Sequence, residues 1–236
     1  MAFRVLCMSL VLCMLAAAVV AKPSRMTPHQ WLERSDAAYY FPQQQGLTDL
    51  VADVAIDYEL SDPLPPELTV TFAYAGDGRL GFHIKGLDGA NAAMRGPVQA
   101  MLNALGDFII PHPATKTFDG LTMTVKQITG RIPGATATRF YQLVGTAKDE
   151  KAAVKEYRVL LDDQGVAYRI ENHLRDGGVM AAAIESVTVE DKRLIGKITT
   201  RMNMQSGSIW KIDTVTYAQT GGYILPTRIR SEYRDL

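Results

Sequence analysis

The sequence predicts a mainly β, α+β fold: a strongly curved antiparallel sheet or open half-barrel of about ten strands, covered by an N-terminal helix and a central helical segment. Three observations carry this. Period-two apolar runs recur at near-regular spacing, tight-turn sequences join them, and no helical crossovers separate them, so the strands form an antiparallel meander. Each run is apolar on one face only, and a sheet of this kind must curl, pair or be covered. Only two helical segments are available as cover.

The elements follow in chain order. Met1 to Arg4 brings one positive charge and Val5 to Val20 is apolar or small throughout. Val19-Val20-Ala21 then provides a cleavage site before Lys22-Pro23, so residues 1–21 read as a cleaved signal peptide and 22–236 as a single domain. A signal anchor is the rival reading, but the run falls short of the about 20 residues a spanning helix needs. Both cysteines, Cys7 and Cys13, lie in this leader, and neither follows the small residue that lipoprotein processing requires.

Thr27-Pro28-His29-Gln30 combines a capping residue, a proline at the first helical position and a glutamine that closes a capping box. The helix it starts ends before Pro42. Trp31, Leu32, Ser35, Ala38 and Tyr39 form its inner stripe, with Glu33, Arg34 and Asp36 expected on the other side. From Leu50 to Leu60 the period becomes two, giving a long half-buried strand whose outer set includes Asp53, Asp57 and Glu59. Ser61 to Pro66 is loop. Leu68 to Tyr74 and Leu80 to Ile84 alternate around Gly76-Asp77-Gly78, a hairpin.

Leu87 to Ile110 is the central helical segment, divided near Gly96-Pro97 and ended by Pro111-His112-Pro113. Strands return at Leu121–Ile128 and Thr138–Gly145. A hairpin follows, with arms Val154–Leu161 and Val166–Leu174 flanking Asp162-Asp163-Gln164-Gly165. The last candidates are Met180–Val189, Leu194–Asn203, Ser208–Gln219 and Tyr223–Tyr233.

Composition excludes several classes of function. Removing the leader leaves no cysteine, hence no disulfide, thiolate metal site or cysteine nucleophile. The 25 basic and 25 acidic residues, of which the leader takes only Arg4, leave a net charge near minus one and no nucleic-acid signature. His29, His83, His112 and His173 are isolated, without a second ligand at metal-binding spacing. Gln205-Ser206-Gly207-Ser208 lacks the glycine that a nucleophile turn places two positions before the serine. The scattered glycines do not form a phosphate cradle. No catalytic residue, metal or cofactor is expected.

An apolar pattern remains. The mature chain keeps Met26, Met94, Met101, Met123, Met180, Met202 and Met204, and methionine suits surfaces that accept apolar ligands of variable shape. For any one of them, ordinary core packing explains the residue as well. A curved sheet under a helical lid would leave an apolar cavity without any catalytic group.

The order of these elements, with the strand Leu50-Val51-Ala52-Asp53-Val54-Ala55-Ile56 and the closing Gly222-Tyr223-Ile224-Leu225-Pro226-Thr227-Arg228-Ile229, resembles the LolA/LolB-like superfamily of periplasmic lipoprotein-sorting carriers and relatives. In outline the resemblance covers residues 27–233. It implies an unclosed, strongly curved antiparallel barrel covered by helices, with acyl chains held in the apolar space between. It also implies a soluble periplasmic carrier whose partners are lipid or lipoprotein acyl chains, an inner-membrane donor and an outer-membrane acceptor. A mature chain without cysteine fits the freely diffusing type, and we expect a monomer.

Candidate cavity residues, taken from inward faces, are Val70, Phe72, Phe82, Met101, Leu102, Leu105, Ile109 and Met123. The alternative is a periplasmic protein-binding sensor or envelope scaffold that regulates a membrane partner. A hydrolase with dispersed catalytic residues is a third reading, which a buried histidine beside a carboxylate in a cleft would revive.

Overall fold

The computed structural model describes residues 26–56, 65–132, 134–204 and 207–235. The leader 1–21 with Cys7 and Cys13, the carboxylates Asp57 and Glu59, and Gln205-Ser206 lie outside the described residues.

Helix α1 spans Pro28–Ala38 and begins with the capping box that its sequence encodes. Gln30 N donates to Thr27 Oγ1 at 3.3 Å while Thr27 N donates to Gln30 Oε1 at 2.8 Å. Trp31, Leu32 and Ser35 are buried as the stripe predicts. Asp36 is the exception. Expected on the polar side, it is buried because its carboxylate accepts from the N-terminal groups of a later helix. The chain leaves α1 at Tyr39 in extended conformation and makes a 3-10 turn over Pro42–Gln45.

Three strands follow: β1 Asp49–Val54, β2 Thr69–Ala75 and β3 Leu80–Lys85, an antiparallel sheet in the order β1-β2-β3. The strand expected over Leu50–Leu60 is shorter. Val54 pairs with Val70, just inside the start of β2, and the register leads back from there toward Pro65 and Pro66, which have no N–H to donate. Ala55 and Ile56 are outside the strand, and residues 57–60 lie outside the described set.

The central segment is a 3-10 stretch over Gly89–Met94 running into α2, Arg95–Ile109. The division falls just before Gly96-Pro97. Pro97 thereby sits in the first helical turn, where its missing N–H would have had no intrahelical partner. Val98, Leu102 and Gly106 face inward. A Cβ on Gly106 would lie 3.0 Å from Leu80 Cδ1, so glycine permits the close approach of α2 to β3. The short α3, Ala114–Thr117, follows the Pro111-His112-Pro113 break.

The remaining strands are β4 Thr122–Thr129, β5 Arg139–Thr146, β6 Val154–Asp162, β7 Ala167–Leu174, β8 Val179–Val189, β9 Lys192–Met204, β10 Gly207–Thr220 and β11 Tyr223–Asp235. Each pairs antiparallel with its sequence neighbours in one eight-stranded sheet whose edges are β4 and β11. The sheet is therefore an open half-barrel. The sequence reading gathers about ten strands into one meander, whereas the helical insertion divides the eleven strands among the described residues between two sheets.

Packing explains how the layers meet. Trp31 stacks on Tyr141 with ring centroids 3.9 Å apart, and Leu32, Leu143, Val159, Leu161 and Ile184 complete the core between α1 and the inner face of the large sheet. Fully burying side chains of this kind contributes about 1.5–3 kcal/mol each. Gly165, in the β6–β7 turn, has φ +84°, and a Cβ there would lie 2.6 Å from the Arg34 carbonyl oxygen, so this turn closes directly on α1. The small sheet packs on α2 through Val70, Ile84, Leu87, Val98 and Leu102, while Phe72, Tyr74, Ile110 and Leu225 join it to the large sheet's last strand.

A candidate apolar binding cavity

The helices cover the large sheet incompletely. Between the end of α1, the segment from Asp107 to Phe118 and the inner face of β6–β11 lies a cavity of about 160 Å³. Its floor includes Val159, Ile170, Ile184, Ile195 and Ile224, and its roof includes Tyr39, Phe41, Ile109 and Phe118. The strands' alternation supplies the floor, since their inner residues are those packed toward α1.

Polar groups at the margins are tied to backbone. Tyr39 Oη donates to the Ala167 carbonyl at 3.3 Å and accepts from Ala167 N at 3.1 Å, with Ser186 Oγ also at 3.3 Å. Burial raises the Tyr39 phenol above its usual range, against the opposing hydrogen bonds to Ser186 and Ala167. Tyr217 Oη donates to the Ile195 carbonyl at 2.8 Å, and burial pushes its pKa up strongly. Both phenols are thus held neutral.

Three further side chains fasten the helical side. Asp36 accepts from Ala114 N at 2.5 Å, Thr115 N at 3.1 Å and Thr115 Oγ1 at 2.5 Å. Gln43 Nε2 donates to the Pro111 carbonyl at 2.6 Å, and Ile224 N donates to Tyr40 Oη at 3.1 Å. These bonds join α1 and its following turn to α3 on one side and to β11 on the other.

Of the candidate residues, Ile109 lines the cavity. Val70, Phe72, Phe82, Met101 and Leu102 lie together where the small sheet meets α2 and the last strand, with Leu105 half-buried on the same helix. Met123 packs at the edge of the core beneath α1, apart from the others. The cavity's own strand residues, Ile170, Ile184 and Ile195, belong to the apolar faces legible in sequence. Nothing in the sequence indicates which stretch of those faces the helices leave uncovered.

His112 and Asp107 both border the cavity, with Nε2 3.9 Å from Oδ1 and side chains 43% and 77% exposed. The pair lies beyond hydrogen-bond distance and on the rim. Among the described residues, no group of three or more His, Cys, Asp or Glu could hold a metal ion. No helix among them is long and apolar enough to cross a membrane.

The fold and cavity define an open antiparallel half-barrel with a helical cover over an apolar space. No family model matches the chain, and no curated protein matches it in sequence. Two solved structures are similar. A LolA superfamily protein from Nitrosomonas europaea shares 12% identity over 89% of this chain and 95% of its own, with a TM-score of 0.45. A domain from Vibrio parahaemolyticus assigned to outer membrane lipoprotein sorting shares 11% identity over 70% of this chain and 60% of its own, with a TM-score of 0.33.

Proposed function

We propose that the protein is a soluble periplasmic carrier that binds acyl chains of a lipid or lipoprotein between the large sheet and its helical cover, for transport towards the outer membrane, without covalent chemistry. The observation that supports this most is the apolar cavity itself, built where sheet and helices meet, with the phenols of Tyr39 and Tyr217 at its margin already satisfied by backbone. An apolar ligand there leaves none of those hydrogen bonds broken. Ile109 contacts the chain in the closed form. Movement of α2 away from β3 opens Val70, Phe72, Phe82, Met101, Leu102 and Leu105 to a longer one, and Met123 extends the lining at the other end.

Extraction of the purified protein followed by lipid mass spectrometry is the test. Co-purifying acyl lipid, or saturable uptake of fluorescent fatty acids, is expected. A protein that is consistently empty and takes up none sinks the reading.

A further inference from the structure

On the inner face of the large sheet, one cross-strand row connects the cavity to a charged pair near the open edge. Val159 and Ile170 line the cavity, and the register continues their row through Ala182 on β8 and Thr200 on β9 to Lys211 on β10. The two middle residues are small. The rows on either side hold Met180 and Met202, and Ile184 and Ile198. Same-face rows stand roughly 7 Å apart, so Ala182 and Thr200 form the floor of a trough with apolar walls. Strands lie about 4.8 Å apart, which makes the path from Ile170 to Lys211 roughly 14 Å. Met180, Ala182, Ile198, Thr200 and Met202 are all half-buried, in contrast to the buried Ile184.

The far end of the trough carries charge that sheet packing does not call for. Lys211 Nζ lies 2.9 Å from Asp213 Oδ1, with side chains 15% and 4% exposed, and Ser231 Oγ donates to the same oxygen at 2.6 Å. The Tyr233 ring centre is 5.9 Å from the ammonium. Taking both charges out of water cancels most of their attraction, so an apolar pair would serve stability as well. An ammonium has three N–H donors, and Asp213 is the one acceptor Lys211 engages among the described residues. The remaining donors suit a second anion, with Lys211 bridging it and Asp213.

We infer that Lys211, positioned by Asp213 and Ser231, anchors the anionic headgroup of an amphiphile, a carboxylate or a phosphate monoester, whose chain lies along the Thr200–Ala182 trough with its end in the cavity. This rests on the carrier reading and names its ligand class. Charge complementarity sets the head at Lys211, and the apolar walls take the chain.

The test is displacement of the neutral probe N-phenylnaphthylamine by palmitate, hexadecyl phosphate and hexadecanol. At least one anionic amphiphile should bind about tenfold or more tighter than the alcohol, as expected of charge-assisted hydrogen bonds, and the better of the two identifies the head. Lys211→Met/Asp213→Asn leaves no buried charge unpaired and should abolish that preference, with hexadecanol affinity kept within about twofold. Lys211→Arg should retain it. Equal binding of acid and alcohol by the wild type, or a preference that survives the double substitution, overturns the anchor and leaves the carrier reading standing. Displacement by none of the three overturns both.

Discussion

Replacing Ile170 by Phe separates a binding cavity from a packing flaw. Ile170 is half-buried on β7 and lines the space of about 160 Å³. A dry apolar cavity of about this size holds a benzene-sized group, roughly six carbons, which at ~0.8 kcal/mol per methylene contributes about 5 kcal/mol to binding. The phenyl ring exceeds the isoleucine side chain by about 25 Å³, roughly a sixth of that space. Binding should weaken by about 0.8 kcal/mol, or roughly fourfold. Stability should move the other way, because empty volume costs ~24 cal/mol per Å³ and filling about 25 Å³ returns at most about 0.6 kcal/mol, less any strain from overpacking. Probe displacement by palmitate gives the first quantity and urea denaturation the second. Unchanged affinity in a protein that is more stable would refute the cavity as the acyl site.

Two further substitutions test the cover and its polar margin. Asp36→Ala removes the acceptor for Ala114 N, Thr115 N and Thr115 Oγ1; a loss of about 2–4 kcal/mol in urea denaturation is expected, with faster amide exchange at Ala114 and Thr115, because bonds to a carboxylate contribute ~1.5–3 kcal/mol each and are not additive. Unchanged exchange at those two amides would show that Asp36 does not hold α3. Burial raises the Tyr217 phenol above its unfolded value, so its contribution is intact below about pH 10 and is lost as pH rises toward the folded value, the unfolded chain releasing a proton that the folded one keeps. Tyr217→Phe should cost about 1 kcal/mol at neutral pH through the bond to the Ile195 carbonyl, yet flatten the fall in stability above about pH 10. Equal slopes for the two proteins in denaturation at stepped alkaline pH would contradict this, the raised Tyr39 phenol accounting for part of the slope in both.

What could be read from the chain is what short-range chemistry decides. Thr27, Pro28 and Gln30 start α1 because the hydrogen bonds they make lie within one turn, and Gly76-Asp77-Gly78 closes a hairpin because its conformation is local. The alternation of β2 and most of β4 survives folding, since their two faces keep different environments, whereas β6 is buried throughout Val159–Asp162 and bulges at Glu185/Ser186 and Thr216/Tyr217 shift the register of the later strands. Asp36 shows where such reading stops. On a helical wheel it belongs with Glu33 and Arg34, and only the arrival of Ala114 and Thr115, far along the chain, makes it a buried acceptor. The end of β1 is likewise set by its partner, since Val54 pairs with Val70 and β2 begins only at Thr69. The cavity is a gap between surfaces contributed by five or more elements, so its floor was visible as apolar strand faces while its place was not.

The dimensions of the closed cavity bear on how the proposed carrier would work. Roughly six buried carbons contribute about 5 kcal/mol, near the lower end of the ~4–15 kcal/mol that association costs in lost freedom. The closed space alone would therefore hold a ligand weakly. Tighter binding requires more apolar contact, and two routes adjoin the cavity: the Ala182–Thr200 trough along the inner face and the interface of α2 with the small sheet. The second is shut by packing. The cover over the cavity is fastened by the hydrogen bonds of Asp36, Gln43 and Tyr40, each contributing about 1–3 kcal/mol. Releasing the Pro111–Thr117 segment thus costs a few kcal/mol, which several more methylenes at ~0.8 kcal/mol each offset. The polar fastening and the apolar cavity are comparable in energy, and in the proposed carrier that balance would let a long chain enter without making its release prohibitively slow.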